Sequence, residues 1–291
     1  MGPVPLKRAL VLSGGGAKGQ YHVGVLELLT ERKLANFDLL AGTSVGALAA
    51  AALAQHPRGR EGAAMASLLE AFDVQTSDIW KPWPIVGVAA GLWKGSLYDS
   101  SPLLARVRRL LRTKALRSSG RSLRVVAVSL RTGEARTFTE RDPEIVEAVA
   151  ASAAFPVFFQ PVQVGGEWFT DGGLREVTPL GCAIREGATE VVVSTCQAIA
   201  GHGAGSGKPS TVALARVALE LLLDEVVRGD LRVCALRNEL AKAGVPGHKL
   251  VKVTAIRPTL DPVANSLVFH PDEAAAAREL GYRDAIVAVD T

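Results

Sequence analysis

Arg8-Ala9-Leu10-Val11-Leu12-Ser13, followed at once by Gly14-Gly15-Gly16-Ala17-Lys18-Gly19, is the stretch from which the fold is read. The first six residues read as a buried strand. Ala17 to Arg32 reads as a helix, with Val23, Leu26 and Leu29 at helical spacing. Three glycines join the two elements, so backbone N–H groups can converge on one point beside a helix N-terminus. Such a loop suits a phosphate or an oxyanion. Further on, strand-like segments (Arg124–Leu130, Glu190–Thr195, Lys249–Ile256) alternate with helix-like ones. The latter are Pro102–Arg112, Pro143–Ala154, Pro179–Glu186, a long stretch over Ser210–Ala243 that reads as one helix or as a broken one, and Asp272–Leu280. This alternation predicts an α/β chain whose mainly parallel sheet is covered by helices.

The spacing Gly14-x-Gly16-x-x-Gly19 also fits a dinucleotide-binding turn. That turn wants an acidic residue at the end of the second strand. Asp38 stands instead at the start of that strand. A Walker loop is excluded because Lys18 is followed by Gly19 rather than by Ser or Thr.

The second motif is Gly42-Thr43-Ser44-Val45-Gly46. It lies between an apolar strand, Phe37–Ala41, and an Ala/Leu-rich helix starting over Val45–Leu53. Ser44 thus falls at a sharp strand-to-helix junction. Gly42 and Gly46, two residues before and after it, let the backbone pass without clashes. The helix behind Ser44 places a partial positive charge beside a developing alkoxide. An anion cradle and an exposed serine together make the minimum apparatus for acyl transfer.

A serine hydroxyl needs a group to take its proton. Five histidines are present: His22, His56, His202, His248 and His270. The last three follow Ser44 in triad order, but none sits in a motif that would aim it at a serine. Asp171 is better placed. Val162-Gln163-Val164 and Glu167-Trp168-Phe169-Thr170 read as a hairpin with a Gly165-Gly166 turn. Asp171-Gly172-Gly173 follows directly, putting an acid at a strand end where two glycines allow close approach. On its own, such an Asp-Gly pair is most often an ordinary turn.

Gly14–Gly19, Gly42–Gly46 and Asp171–Gly173, in that order, closely resemble the motifs of the patatin-like phospholipase family. Ser96–Leu103 and Ala151–Val162 resemble the family's intervening segments, and Glu279-Leu280-Gly281-Tyr282 gives a weaker C-terminal echo. The likeness runs from about Lys7 to Gly187. The resemblance implies a three-layer α/β/α fold with a mainly parallel central sheet, spanning residues 1–291 as one domain. It implies a Ser–Asp dyad without histidine, with Ser44 as nucleophile and Asp171 as proton acceptor. Gly15 and Gly16 match the oxyanion donors within the loop Gly14, Gly15, Gly16, Ala17, Lys18 and Gly19. Gly42, Thr43, Val45 and Gly46 match the nucleophile elbow, and Gly172 and Gly173 the base motif. The implied activity is a serine esterase of phospholipase A type. It would cleave carboxylic esters of phospholipids or acylglycerols through a covalent acyl-enzyme. A carboxylate near its reference pKa of about 3.9 is a weak base for a hydroxyl. Asp171 is therefore expected to be partly buried and within hydrogen-bond reach of Ser44. An acyltransferase sharing the same acyl-enzyme, and a non-catalytic nucleotide- or lipid-binding module, stand as alternatives.

At 291 residues and 48% hydrophobic content the chain can build a substantial core. Cys182, Cys196 and Cys234 show no CxxC spacing and read as buried free thiols, which fits a reducing compartment. No metal or cofactor is called for, and a net charge of +4 gives no case for nucleic acid. Neither a signal peptide nor an apolar run long enough to span a membrane is evident. A cytoplasmic protein, with peripheral membrane contact as an option, is the expectation. Two segments bear on lipid. Residues 74–99 hold Trp80, Trp83 and Trp93 among prolines and glycines, and read as a lid or acyl-chain wall, or as a loop packed on its own core. The segment 106–124 is rich in arginine. Leu103, Leu104, Val107, Leu110 and Leu111 form an apolar stripe that leaves Arg106, Arg108, Arg109 and Arg112 mostly on other faces. It reads as a solvated basic face or as one drawn to anionic headgroups. The sequence leaves the oligomeric state open.

Overall fold

A computed structural model describes residues 7–83, 95–198 and 210–290. The chain folds as three layers, α/β/α, around a mixed sheet that is mostly parallel. Strand β1 (Arg8–Leu12) leads through the glycine loop to α1 (Gln20–Glu31), and β2 (Leu39–Thr43) leads through the serine turn to α2 (Val45–Ala54). Helices α3 (Glu61–Phe72) and α4 (Thr76–Ile79) follow, then a small ribbon of β3 (Lys81–Pro82) and β4 (Tyr98–Asp99). Next come α5 (Ser101–Leu110), α6 (Thr113–Ser118), β5 (Ser122–Ser129), β6 (Ala135–Thr139) and α7 (Ile145–Ser152). The chain closes with β7 (Val162–Val164), β8 (Glu167–Asp171), α8 (Leu180–Arg185), β9 (Glu190–Ser194), α9 (Thr211–Lys242), β10 (Lys252–Ile256) and α10 (Pro271–Asp290).

Strands β10, β9, β1, β2 and β5 run parallel in that spatial order, while β6, β7 and β8 are antiparallel additions. Alternation along β1 divides the core between the two faces. Leu10 and Leu12 pack with α1, α2, α3 and α7 on the thicker side. Ala9 and Val11 pack with Leu180 and Ala183 of α8 and Cys234 of α9 on the other. All three cysteines are buried free thiols.

One consequence of strand register positions the site. Strand β5 pairs β2 through Ser122–Val126, β6 through Arg124–Val128, and β8 through Ala127–Ser129. A strand has two edges, so β6 must fill one while β2 and β8 share the other. Thr43 lies opposite Val126 and Asp171 opposite Ala127. Strands β2 and β8 therefore run toward each other along one edge of β5, and their C-terminal ends meet. Ser44 and Asp171 are the residues at that meeting point.

Several boundaries differ from the sequence expectation. The first turn after β1 is a 3-10 turn over Gly16–Gly19, and the α-helix begins only at Gln20. The glycine loop tightens that turn. Strand β2 starts two residues later than expected. The long helix α9 is unbroken. Helix α10 continues ten residues past Leu280, because Gly281 is not a stop but a crossing point. A Cβ at Gly281 would lie 2.1 Å from Tyr21 O, and one at Gly24 would lie 1.8 Å from Arg278 O. Helices α1 and α10 thus touch backbone to backbone through two glycines. Gly24→Ala is expected to push them apart and cost about 1–3 kcal/mol, as overpacking does. A fall in the urea midpoint of unfolding, with an unchanged m-value, would register it.

Candidate active site

The serine turn is held by small residues at both shoulders. A Cβ at Gly42 would lie 2.1 Å from Gly46 O, and one at Gly46 would lie 2.2 Å from Leu12 O. Ser44 itself has φ +56°, a left-handed conformation that non-glycine residues seldom adopt. Two contacts hold it there. The Ser44 amide donates to Ser152 Oγ at 2.9 Å, and Ser152 donates onward to Val126 O at 2.5 Å. Thr43 Oγ1 donates to Glu176 O at 2.8 Å. Helix α2 begins immediately after Ser44, so its N-terminal dipole points at the hydroxyl.

The glycine loop presses against this turn. A Cβ at Gly14 would lie 3.0 Å from Ser44 Cβ, and one at Gly19 would lie 2.5 Å from Val45 Cγ2. Within the loop most amides are engaged. Gly14 N donates to Val177 O at 3.1 Å, Ala17 N to Ser266 O at 2.7 Å, and Lys18 N to Gly15 O at 3.2 Å. The amides of Gly15 and Gly16 have no protein partner among the described residues. The Lys18 ammonium is turned to Asp261 Oδ1 at 3.2 Å and is nearly enclosed.

Asp171 is only 3% exposed. Its Oδ1 accepts from the Gly173 amide at 2.7 Å. Oδ2 is shut off from solvent and closes no hydrogen bond of full geometry. The Ser44 side chain is nevertheless near enough to stabilise the carboxylate. Burial dominates and raises the carboxyl to about 7, with Gly173 N and Ser44 offsetting part of the rise. Gly172 packs flat on the sheet, since a Cβ there would meet Val126 O at 2.2 Å.

Ser44, Asp171 and the loop from Gly14 to Lys18 line one cavity. Its other walls are mostly apolar, among them Leu48, Leu103, Val107, Val149, Phe155 and Phe269, with Gln20, Gln197, Glu220 and Ser266 as polar members. No histidine among the described residues lines it. His22 is wholly buried behind the glycine loop, with Nδ1 2.7 Å from Ser194 Oγ and Nε2 3.0 Å from Ser13 O. Burial pushes it down to about 4, so it is neutral. His56 contacts Ser67 Oγ at 2.7 Å, and His202 lies outside the described residues. Among the described residues, no cluster of His, Cys, Asp or Glu is placed to hold a metal ion.

The family model for patatin-like phospholipases matches residues 10–184. The chain belongs to the patatin-like phospholipase family. This patatin-like chain is 30% identical over 200 residues to a cGAMP-activated phospholipase of Escherichia coli strain TW11681, covering 60% of this chain and 54% of that protein. It is 28% identical over 202 residues to a cGAMP-activated phospholipase of Vibrio cholerae, covering 59% and 55%. The chain thus spans about half the length of these curated relatives. The crystal structure of VipD from Legionella pneumophila aligns over 99% of this chain and 67% of that one, with 19% identity and a TM-score of 0.45.

Three polar residues around the patatin-like site stand out only in the structure, although Ser152 lies within the family-like segment Ala151–Val162. Ser152 is a single hydroxyl in an alanine-rich helix. Ser13 Oγ lies 3.0 Å from Gly14 O, and Gln197 Nε2 donates to the same oxygen at 3.0 Å. Only their position in the fold reveals them.

The aromatic and basic segments are largely tied to the protein. Trp80 donates its indole N–H to Leu267 O at 2.7 Å and stacks on Tyr98 with ring centroids 4.0 Å apart. Trp83 donates to Ser96 O at 3.2 Å. Trp93 and residues 84–94 of the expected lid lie outside the described residues. Arg106 is not on an outer face. It is buried and caps the end of α3 through Glu70 O and Asp73 O, both at 2.7 Å. Arg108, Arg121 and Arg124 pair with Glu147, Glu61 and Glu140. Among the described residues no helix is long and apolar enough to cross a membrane.

Proposed function

We propose that this patatin-like chain is a lipid acyl hydrolase that cleaves carboxylic esters of phospholipids or acylglycerols. The observation that carries the proposal is the meeting of Ser44 with a buried, proton-hungry Asp171 at the floor of an apolar cavity. Ser44 Oγ attacks the ester carbonyl carbon while its proton passes to Asp171. The oxyanion accepts hydrogen bonds from the Gly15 and Gly16 amides. Collapse expels the alcohol, which takes the proton from Asp171 and leaves the acyl group on Ser44. Water then attacks the acyl-enzyme by the same route and releases the acid. The apolar walls suit the acyl chain, and their exclusion of water strengthens each electrostatic contact at the reacting centre.

Incubating the protein with phospholipid vesicles and with acylglycerol emulsions, and identifying products by mass spectrometry, tests the proposal. Free fatty acid with the matching lyso-lipid or alcohol is expected. Acyl transfer to added alcohol without net hydrolysis would replace the hydrolase reading. No product from either substrate, together with no labelling by a fluorophosphonate, would overturn it.

Gln197 and Ser13 belong to the same scheme as positioning residues. A trans peptide points its C=O and N–H in opposite directions. Holding Gly14 O on Gln197 and Ser13 therefore aims the Gly15 N–H at the cavity. Gln197→Ala is expected to lower kcat about 10- to 100-fold through misplacement of that donor, with KM changed little. A loss expressed mainly in KM would assign Gln197 to substrate binding instead.

A further inference from the structure

Each oxyanion donor has to be aimed at the reacting oxygen. Gly15 N–H is aimed through Gly14 O, which Gln197 and Ser13 hold. Gly16 has φ +56° and no side chain to steady it. Its N–H direction depends on the two peptide planes that meet at its Cα. The plane before it is held where Gly15 O accepts from Lys18 N at 3.2 Å. The plane after it is held where Ala17 N donates to Ser266 O at 2.7 Å. The same carbonyl packs on Gly16 itself, since a Cβ there would lie 2.2 Å from Ser266 O. Ser266 O thus fixes the torsion of Gly16 from one side and leaves no room for any other residue.

Ser266 is buried and its own position is set by α9. Ser266 Oγ donates to Glu220 Oε1 at 2.5 Å, and Arg216 Nη1, one helical turn earlier, donates to the same oxygen at 3.0 Å. The turn around Ser266 is tied down as well, with Leu267 N donating to Asn265 Oδ1 at 3.0 Å and the Trp80 indole to Leu267 O. Residues 216, 220 and 266 all lie beyond 10–184, the stretch that the family model matches. The motif-bearing glycine loop therefore leans on a part of the chain that carries none of the motifs.

Glu220 and Ser266 both stand on the cavity wall. A carboxylate there is a liability, because an oxyanion develops in the same cavity and like charges repel. The liability is answered by Arg216, which pairs with Glu220, and the carboxylate is put to use on Ser266. We propose that Ser266 and Glu220 are positioning residues for the second oxyanion donor. Glu220, paired with Arg216, holds Ser266 through a charge-assisted hydrogen bond. Ser266 O then locks the peptide between Gly16 and Ala17, so that the Gly16 N–H faces the oxyanion. The inference rests on the acyl-hydrolase reading of Ser44.

Kinetics and inhibitor binding test it together. Ser266→Ala and Glu220→Ala are each expected to lower kcat about 10- to 100-fold with KM little changed, as misplacement of one donor does. The double variant should be no worse than the worse single one, because both act through one contact. Ser266→Thr and Glu220→Gln, which keep the hydrogen bond, should recover most of the loss. Binding separates this role from a structural one. An alkyl trifluoromethyl ketone takes up Ser44 Oγ at its carbonyl carbon, the serine proton passes to Asp171, and an oxyanion is left in the glycine loop. The secondary alcohol of the same chain fills the cavity and cannot add. The alanine variants should lose about tenfold or more in affinity for the ketone and little for the alcohol. Equal losses for both ligands, a loss carried by KM, or full kcat in the alanine variants would overturn the inference while leaving the chemistry of Ser44 intact. A wild type that neither turns over esters nor retains the ketone would overturn the hydrolase reading, and this inference with it.

Discussion

Ser44→Ala is expected to lower ester turnover by about four orders of magnitude or more, the scale seen when a serine nucleophile is removed. Labelling by a fluorophosphonate should vanish in the same variant. The fold should persist, because the contact that secures the turn uses the Ser44 amide, which alanine keeps. A companion variant separates chemistry from strain. At φ +56° any residue with a Cβ is held in an unfavourable conformation, and glycine is not. Ser44→Gly should therefore be as inactive as Ser44→Ala but more stable by about 1 kcal/mol. Chemical denaturation of the two variants measures that difference. If Ser44→Ala kept its turnover, Ser44 would not be the nucleophile. If the glycine variant were less stable than the alanine variant, the turn would not be strained.

Asp171→Asn should be nearly inactive and, at alkaline pH, more stable than the parent. In the folded chain Asp171 holds its proton up to about 7, against an ordinary value of 3.8. Folding therefore takes up a proton between those two values. The fold loses stability as pH rises through that window, and above it bears the full cost of about 4 kcal/mol. Asparagine carries no charge to bury. The advantage of Asp171→Asn in urea unfolding should thus grow by about 2–3 kcal/mol between pH 5 and pH 8. Catalysis runs the other way, because the carboxylate is the base. In the parent, kcat/KM should climb about tenfold per pH unit below 7 and level off above it. A histidine base would give a similar limb. The variant distinguishes them, since a limb that survives in residual Asp171→Asn activity would belong to another group.

What could be read in the sequence was what is local. The glycine loop, the serine turn and the Gly165-Gly166 hairpin depend on residues within a few positions of each other, and all three stand where expected. Both hairpin glycines have positive φ, as a two-residue turn demands. Strand β6 was missed because it lies at an edge with mostly polar, part-exposed side chains. Without β6 nothing forces β2 and β8 onto one edge of β5, so the reason Ser44 meets Asp171 was hidden even though both residues stood out. Arg106 looked like a surface cation because its partners are backbone carbonyls at the end of another helix. Gln197 and Ser152 act through contacts more than a hundred residues away along the chain. Gly281 misled because a glycine that ends a helix and one that lets another helix approach look alike in a single sequence.

Strand β1 has a further consequence, one that concerns the making of the chain. It sits inside the sheet between β2 and β9. Its first neighbour emerges from the ribosome soon after it, but the second is 182 residues downstream, where Arg8 meets Glu190. At ordinary rates of synthesis that delay is roughly 10–40 s. Throughout it, Leu10, Val11 and Leu12 present an apolar strand with one open edge, the arrangement most prone to pair with a neighbouring nascent chain. The site at the heart of the sheet is thus completed late, and yield in a cell depends on how well that edge is sheltered until β9 arrives.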